Sequence, residues 1–340
     1  MADLRTHYMG LELKNPIIAG ASSLTTDTEN LKKMEAAGAS AIVYKSLFEE
    51  QVQLENLELF ELKTEYEDRN AEMVTLFPNS RSVPSSPSEY LLKLRRAREA
   101  VTIPLFASLN ALNDDTWIEY AIRVAETGIN GIELNFYTLP VDSGVLRDTI
   151  ESKQTETLRK VKGAVNIPVA VKLSPFYTNP LQFISALDKA GADAIVIFNR
   201  LLQPDVDIYN ERHTFPYNLS SSEDLRLPLR FTGILYGNIN ASVCSTTGIY
   251  SGGDVIKMIL AGADAVQVVS VMYRHGIDAV RSMTEEIEKW MDAKGYADTD
   301  SFRGKLSLKD TRLKRTYQRA QYLDFMMNAG DILKKYRIIP

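Results

Sequence analysis

Two lysines in this chain stand where a lysine is hard to keep. Lys45 in "AIVYKS" and Lys172 in "VAVKLSP" each follow an apolar, β-branched run, so each ammonium emerges from a buried strand and needs a partner for its charge. Held in place, such an ammonium stabilises negative charge that develops on a bound group; desolvated, it can instead attack a carbonyl as a free amine. A second chemistry resides in residues 245–270, "STTGIYSGGDVIKMILAGADAVQVVS". Turns of small residues at 246–248 and 269–270 flank an expected helix, Gly252–Leu260. If both turns end neighbouring parallel strands, their N–H groups converge on one anion, and the helix opening at Gly252–Gly253 adds its dipole. The plainer reading, in which Thr247, Gly248, Gly252 and Gly253 only turn the chain, is left open by the residues alone.

The elements that must position these groups follow a regular alternation. Short β-branched runs occur at Pro16–Gly20, Ala41–Lys45, Leu105–Leu109, Gly131–Asn135, Val169–Leu173, Ala194–Phe198, Ala241–Thr246 and Ala265–Val269. Helical periodicity follows most of them, at Thr28–Ala37, Asp114–Glu126, Thr155–Ala164, Pro180–Ala190, Gly252–Leu260 and Ile277–Ala293. The segments "EAAGASAIVYK", "AETGINGIELN", "DKAGADAIVIFN" and "LAGADAVQVVS" repeat one phrase, in which a helix ends at Gly and a strand starts two or three residues later. Glycine there ends the helix with a positive φ at little cost. Eight strand–helix units predict an α/β fold, a closed (β/α)8 TIM barrel, with a doubly wound sheet as the alternative. Long insertions at about 46–88 and 199–227 follow strands directly, which in a barrel puts them on the C-terminal rim with the active site. The second, with "FPYNLSSSEDLRLPLRF", has the apolar content to pack as a lid.

Composition narrows the function classes. A formal net charge of -5 over 340 residues argues against nucleic acid as the partner. The basic run Lys93–Arg98 reads as the solvated face of an amphipathic helix. Cys244 is the single cysteine, which excludes an internal disulfide and fits a reducing compartment. The N-terminal residues have no apolar leader core and no later stretch is long enough to span a bilayer, so the expectation is a cytoplasmic protein without a membrane span. His7, His213 and His275 lack ligand spacing, and no metal site is expected.

Taken in order, "NPIIAGAS", "YKS", "IELN", "VAVKLSP", "FN" and "TGIYSGGDVIKMILAGADAVQVVS" resemble the dihydroorotate dehydrogenase family of FMN-dependent barrels, over most of the chain up to "GYADTDSFRGKL". The resemblance implies FMN as cofactor, with Gly20, Ala21 and Ser22 along the flavin ring and Lys172 at its N1/O2 edge. It implies that Lys45 and Ser46 approach flavin and substrate, and that Asn135 lies under the cofactor near the substrate. Asn199 closes the pocket, with Asn110 as a further contact. Thr247, Gly248, Val269 and Ser270 hold the phosphate. A lysine beside N1/O2 suits a cofactor whose reduction places negative charge there.

Where the sequence departs from the family, the substrate is at issue. "ELNFYTLPVD" places Thr138 at the position of the family's Cys or Ser base and Pro140 at that of a second Asn. The early substrate-gripping loop keeps Pro78–Asn79, with Asn79 as a substrate contact, but has Met73 at its first Asn, and Arg200 replaces the Ser after Asn199. Substrate contacts are thus expected from Lys45, Asn79, Asn135, Asn199 and Arg200, with Thr138 and Lys172 as catalytic groups and an anionic small molecule as ligand. The activity implied is hydride transfer between dihydroorotate, or another cyclic amide or enone, and flavin N5, with a soluble electron acceptor such as fumarate or a quinone. Two other classes remain: a Schiff-base aldolase using Lys172, and a flavin-binding sensor without turnover. Residues 1–305 are expected to form one FMN-binding barrel, and 306–340 a helical extension packed on the barrel or on a second copy in a homodimer.

Overall fold

The computed structural model describes residues 2–49, 87–111, 113–138, 144, 146–200, 204–214, 219–309, 317 and 326–327. The described part of the chain opens with a hairpin, β1 (Thr6–Tyr8) and β2 (Leu11–Leu13), that the sequence pattern did not reveal. Then come β3 (Ile17–Ala19), α1 (Thr28–Ala36), β4 (Ala41–Phe48), α2 (Pro87–Ala100), β5 (Leu105–Asn110), α3 (Asp114–Ala125) and β6 (Gly131–Phe136). After them follow α4 (Arg147–Ala164), β7 (Val169–Leu173), α5 (Pro180–Lys189), β8 (Ala194–Ile197) and a rim hairpin, β9 (Asp205–Asp207) with β10 (Arg212–Thr214). The last elements are α6 (Arg226–Leu235), β11 (Ser242–Thr246), α7 (Gly252–Ala261), β12 (Ala265–Val268), α8 (Ser270–His275) and α9 (Ala279–Lys294). Eight parallel strands close in the ring order β11-β12-β3-β4-β5-β6-β7-β8. The (β/α)8 expectation therefore holds, and the doubly wound sheet is excluded by closure.

Alternation along the strands sorts the core into two parts. Outward residues such as Ile17, Ile42, Leu134, Val171 and Val266 pack beneath the helices. Inward residues Ile18, Ala41, Val43, Phe106, Ala170, Ala194, Val196, Cys244 and Ala265 fill the lower barrel. The β1–β2 hairpin closes that end: Tyr8 is 1% exposed and meets Phe106 edge-on, with ring centroids 5.9 Å apart.

The repeated phrase has a structural meaning beyond ending helices. Gly38, Gly128, Gly191 and Gly262 have φ of 103°, 82°, 98° and 122°, as the sequence led us to expect. Two residues after the last three stands an Asn or Asp that accepts an N–H at the start of the preceding strand. Asn130 Oδ1 takes Leu105 N at 3.0 Å, Asp193 Oδ2 takes Val169 N at 2.7 Å, and Asp264 Oδ2 takes Val243 N at 2.8 Å. Each unit thus ends its own helix and fixes the register of its neighbour.

Element bounds differ from the expectation mainly in the second insertion. The helix expected from Thr155 starts a further two turns earlier, at Arg147. The segment around "LRLPLRF" is not only rim but α6, the crossover helix before β11. Pro228 marks it as loop in the sequence, yet it stands in the first turn, where its missing N–H costs little. The amphipathic helix expected around Lys93–Arg98 is α2. Most of the 46–88 insertion and of the 306–340 extension lies outside the described residues; at the start of the latter, Arg230 Nη2 donates to Tyr317 O at 2.7 Å and Tyr317 OH donates to Leu306 O at 2.5 Å.

Asp193 carries two roles, since Oδ2 also accepts Lys162 Nζ at 2.5 Å. Asp193→Ala strands the Val169 N–H at the mouth of a buried strand, and a loss of about 1–3 kcal/mol is expected in the free energy of urea unfolding. Asp193→Asn, which keeps an acceptor, should lose less.

Candidate active site

Above the apolar floor the barrel turns polar. Glu133 on β6 and Gln267 on β12 point inward with Lys172 on β7, at 2%, 1% and 8% exposure. Gln267 Nε2 donates to Glu133 Oε2 at 2.5 Å, Lys172 Nζ donates to Gln267 Oε1 at 3.3 Å, and Nζ lies 3.6 Å from Glu133 Oε1. A buried lysine survives as a cation only with such partners. Burial, and then the charge of Glu133, push the Cys244 thiol beneath this layer well above its ordinary range. Burial chiefly, with Cys244 and then Glu133, does the same for the Tyr8 phenol, so both stay neutral.

A cavity of about 460 Å³ opens on this layer at the C-terminal ends of the strands, within the size range of small-molecule sites. Among the expected residues, Ala21, Ser22, Lys45, Ser46, Asn135, Lys172, Asn199, Arg200, Thr247, Gly248, Val269 and Ser270 all line it. Lys45 and Ser46 are adjacent and would ordinarily face opposite ways. The pairing of β4 with β5 slips between Tyr44 and Leu47, a bulge that turns both toward the cavity. Asn199 Nδ2 donates to Asn135 Oδ1 at 2.8 Å, joining the ends of β6 and β8. Arg200 Nε is 3.9 Å from Asp224 Oδ2, so the second insertion shares its charge. Lys45 Nζ has no hydrogen-bonding or charged partner among the described residues.

Three expected residues stand elsewhere, and a fourth, Asn79, is not among the described residues. Gly20 lies just behind the lining, and a Cβ there would come within 2.7 Å of Val269 Cγ2. Asn110 is buried at the end of β5, outside the lining. Thr138 is exposed and off the cavity, its hydroxyl accepting Gln154 Nε2 at 3.0 Å; among the described residues of that loop, Tyr137 lines it. Asn79, with Met73 and Pro140, lies outside the described residues.

The two small-residue turns do meet at one edge of the cavity, after the neighbouring strands β11 and β12. Thr247 has φ 78° and donates through Oγ1 to Phe198 O at 2.9 Å. At Gly248, φ is also 78°, and a Cβ would lie 2.3 Å from Leu225 N; no other residue fits that turn. Ser220, from the insertion, bridges both turns: its Oγ accepts Gly248 N at 3.4 Å and bonds Ser270 Oγ at 2.8 Å.

The expected contribution of the Gly252 helix is corrected. Its first N–H groups are already satisfied: Ser251 Oγ takes Asp254 N at 3.2 Å, and Glu286 Oε2 takes Gly253 N at 3.3 Å. Asp254 Oδ2 takes Tyr250 N at 3.1 Å and Ser251 N at 3.2 Å. No residue of α7 is among those lining the cavity. Ser22 Oγ, by contrast, is buried with no hydrogen-bond partner among the described residues, an orphan on the cavity wall that a bound polar group would satisfy. The described residues hold no group of side chains suited to a metal ion and no helix long and apolar enough to cross a membrane.

Among the site residues not singled out from sequence are Glu133 and Gln267. The signal was available, since each interrupts an apolar strand at an inward position.

Comparison with known proteins identifies relatives of the whole barrel. A family model described as dihydroorotate dehydrogenase matches residues 3–291. The catalytic subunit of dihydroorotate dehydrogenase B (NAD(+)) of Methanocaldococcus jannaschii is 26% identical over 296 residues, spanning 84% of this chain and 92% of that protein. Its counterpart from Pyrococcus abyssi is 25% identical over 312 residues, 90% of this chain and 99% of that one. Dihydroorotate dehydrogenase A (fumarate) of Lactobacillus helveticus is 29% identical over 224 residues, 64% and 72% of the two chains.

The capping of α7 yields a pH-dependent expectation. Burial alone would raise the Asp254 carboxyl, but hydrogen bonds from Lys257 and Tyr250 hold it below its ordinary value of 3.8. A lowered folded-state value means that this contribution is complete above pH 3.8 and is lost as pH falls below it. Asp254→Asn should lower stability by about 1 kcal/mol at neutral pH. The gap to the parent, followed by urea unfolding, should close in acid.

Proposed function

The chain belongs to the dihydroorotate dehydrogenase family, and from this we infer that it is an FMN-dependent oxidoreductase, moving a hydride between a dihydroorotate-like substrate and flavin N5. The observation that carries the reading is the ammonium of Lys172, fixed by Glu133 and Gln267 at the floor of a cavity whose far edge is the double turn. Residues of this chain suited to hold FMN are Ala21 and Ser22 along the ring, Lys172 at its electron-rich edge, and Thr247, Gly248, Val269 and Ser270 at the phosphate. The unpartnered Ser22 hydroxyl and the glycine-dependent turn at 248 fit such a group. When bound, FMN supplies a two-electron acceptor for the hydride.

The protein's own groups do the rest. Lys172 provides fixed positive charge where negative charge collects, without reorganisation. The linked amides of Asn135 and Asn199 offer donors and acceptors to a cyclic amide, and Lys45 and Arg200 attract an anionic substituent. Lys172 Nζ donates to Gln267 and faces Glu133, contacts that hold it at the cavity floor as a fixed charge and speak against the aldolase reading.

A second reading keeps the flavin and changes the substrate. Two observations favour it: Thr138 is off the cavity, and Arg200, where the family places a serine, lines it. A different cyclic amide or an enone with an anionic group then replaces dihydroorotate. The electron acceptor is proposed only as a small soluble molecule.

The purified protein should show a flavin spectrum or acquire one with FMN, and dihydroorotate should bleach it without oxygen. Bleaching by dithionite but not by dihydroorotate favours the second reading. Lys172→Met should keep the colour yet slow substrate-driven reduction by about 10²–10³-fold in stopped flow, the usual loss when one charge-stabilising donor is removed.

A further inference from the structure

Oxidation of a CH–CH bond releases a proton as well as a hydride, and the residue at the expected base position, Thr138, does not line the cavity. A different route for the proton starts on the cavity wall. Ser46 Oγ lies 2.7 Å from Ser108 Oγ, and Ser108 Oγ donates to Glu133 Oε1 at 3.5 Å. Ser108 is fully buried and Glu133 nearly so. The polarity of this chain follows from counting hydrogens. At 3.5 Å the Ser108–Glu133 contact is long for a hydroxyl hydrogen bond; with the one Ser108 hydrogen directed to Glu133, Ser46 donates to Ser108. The lone pairs of Ser46 are thereby left facing the cavity, as an acceptor.

We propose that Ser46, Ser108 and Glu133 form a proton relay from the cavity into the barrel, with Glu133 as terminal acceptor. The proposal rests on the flavin reading above. Two substrate C–H bonds break. One leaves with its electron pair as hydride to the oxidant, FMN; the electrons of the other form the substrate C=C bond. That second proton passes to Ser46 Oγ as the Ser46 proton moves to Ser108 and the Ser108 proton moves to Glu133, which ends as a carboxylic acid. Each hydroxyl gains a proton as it gives one up, so neither becomes an alkoxide.

Charge balance supports this terminus. Lys172 from β7 is the one charged group in contact with Glu133 among the described residues. Tyr8 from β1 and Cys244 from β11 are neutral, and Ser108 and Gln267 are uncharged. Neutralising Glu133 releases the Lys172 ammonium from its counter-charge as negative charge arrives in the cavity. The hydride brings a negative charge to one side of Lys172 and the relay removes one from the other.

The test uses the full chain loaded with FMN. Reduction by the substrate that bleaches the parent, followed in an infrared cell, should produce a carboxylic acid C=O band in the reduced-minus-oxidised spectrum, shifted in D2O and absent from Glu133→Gln. Because Glu133→Gln also alters the partner of Lys172, a second variant, Ser108→Ala, cuts the relay and leaves the Lys172–Glu133–Gln267 contacts in place. In Ser108→Ala, flavin reduction by the substrate that bleaches the parent should slow on the order of 10²-fold, while dithionite reduction is unchanged. A coloured parent without the band, a band that survives Glu133→Gln, or a Ser108→Ala protein reduced by substrate at the parent's rate overturns the relay alone; the last result assigns the proton to another lining group such as Tyr137. A protein that takes up no FMN overturns the cofactor reading and the relay with it.

Discussion

An ammonium placed inside a β-barrel must be neutralised where it stands. The described structure does this with one carboxylate and one amide drawn from distant parts of the chain. β6 and β12 stand opposite each other in the ring, so the hydrogen bond from Gln267 to Glu133 crosses the lumen, and Lys172 closes the triangle from β7. Removing one member of a buried ion pair typically costs about 3–5 kcal/mol, because the survivor is left charged and unpaired. The arrangement therefore ties strand register to site chemistry: a slip of one residue in β6, β7 or β12 would turn its polar member into the helix layer.

The same layer divides the barrel into two dielectric regions. Below it, Ile18, Phe106, Val196 and Cys244 pack against the hairpin that carries Tyr8, an apolar cluster. Above it, Lys45, Asn135, Asn199 and Arg200 face a cavity open to ligands. Charge is concentrated at the boundary, where interactions are stronger than in water and partners are fixed before any ligand arrives.

How much of this was legible in the sequence depended on whether the signal was local. The helix–Gly–strand phrase disclosed the barrel because each unit terminates its helix within its own few residues. Lys45 and Lys172 stood out because a cation after an apolar run is conspicuous. Glu133 passed as the polar half of an alternating strand, although a strand buried on both faces has no polar half. The bulge that aims Lys45 and Ser46 together depends on β5, some sixty positions later, and left no local trace. The position of Thr138 came from alignment to a family pattern, which carries the order of residues but not the direction of a loop. The Gly252 helix misled because its N-terminus was judged by its glycines and not by the side chains around it: Glu286 already takes the Gly253 N–H and Ser251 that of Asp254.

The second insertion adds a constraint that neither the barrel nor the motifs contain. The short helical turn Ser222–Leu225 presents Asp224 to Arg200 on one side. On its other side, the backbone of Asp224 and Leu225 packs so closely on Gly248 that no Cβ fits between them. Ser220, two residues earlier, spans Gly248 and Ser270. One segment thus touches both Arg200 and the Gly248 turn, two separate parts of the cavity wall. An anionic ligand drawn to Arg200 competes with Asp224 for that guanidinium, and any shift of Asp224 is transmitted to Gly248 through direct backbone contact, because a packed turn with a positive φ has little room to absorb it. The insertion therefore contacts both parts of the cavity wall, whatever the substrate is.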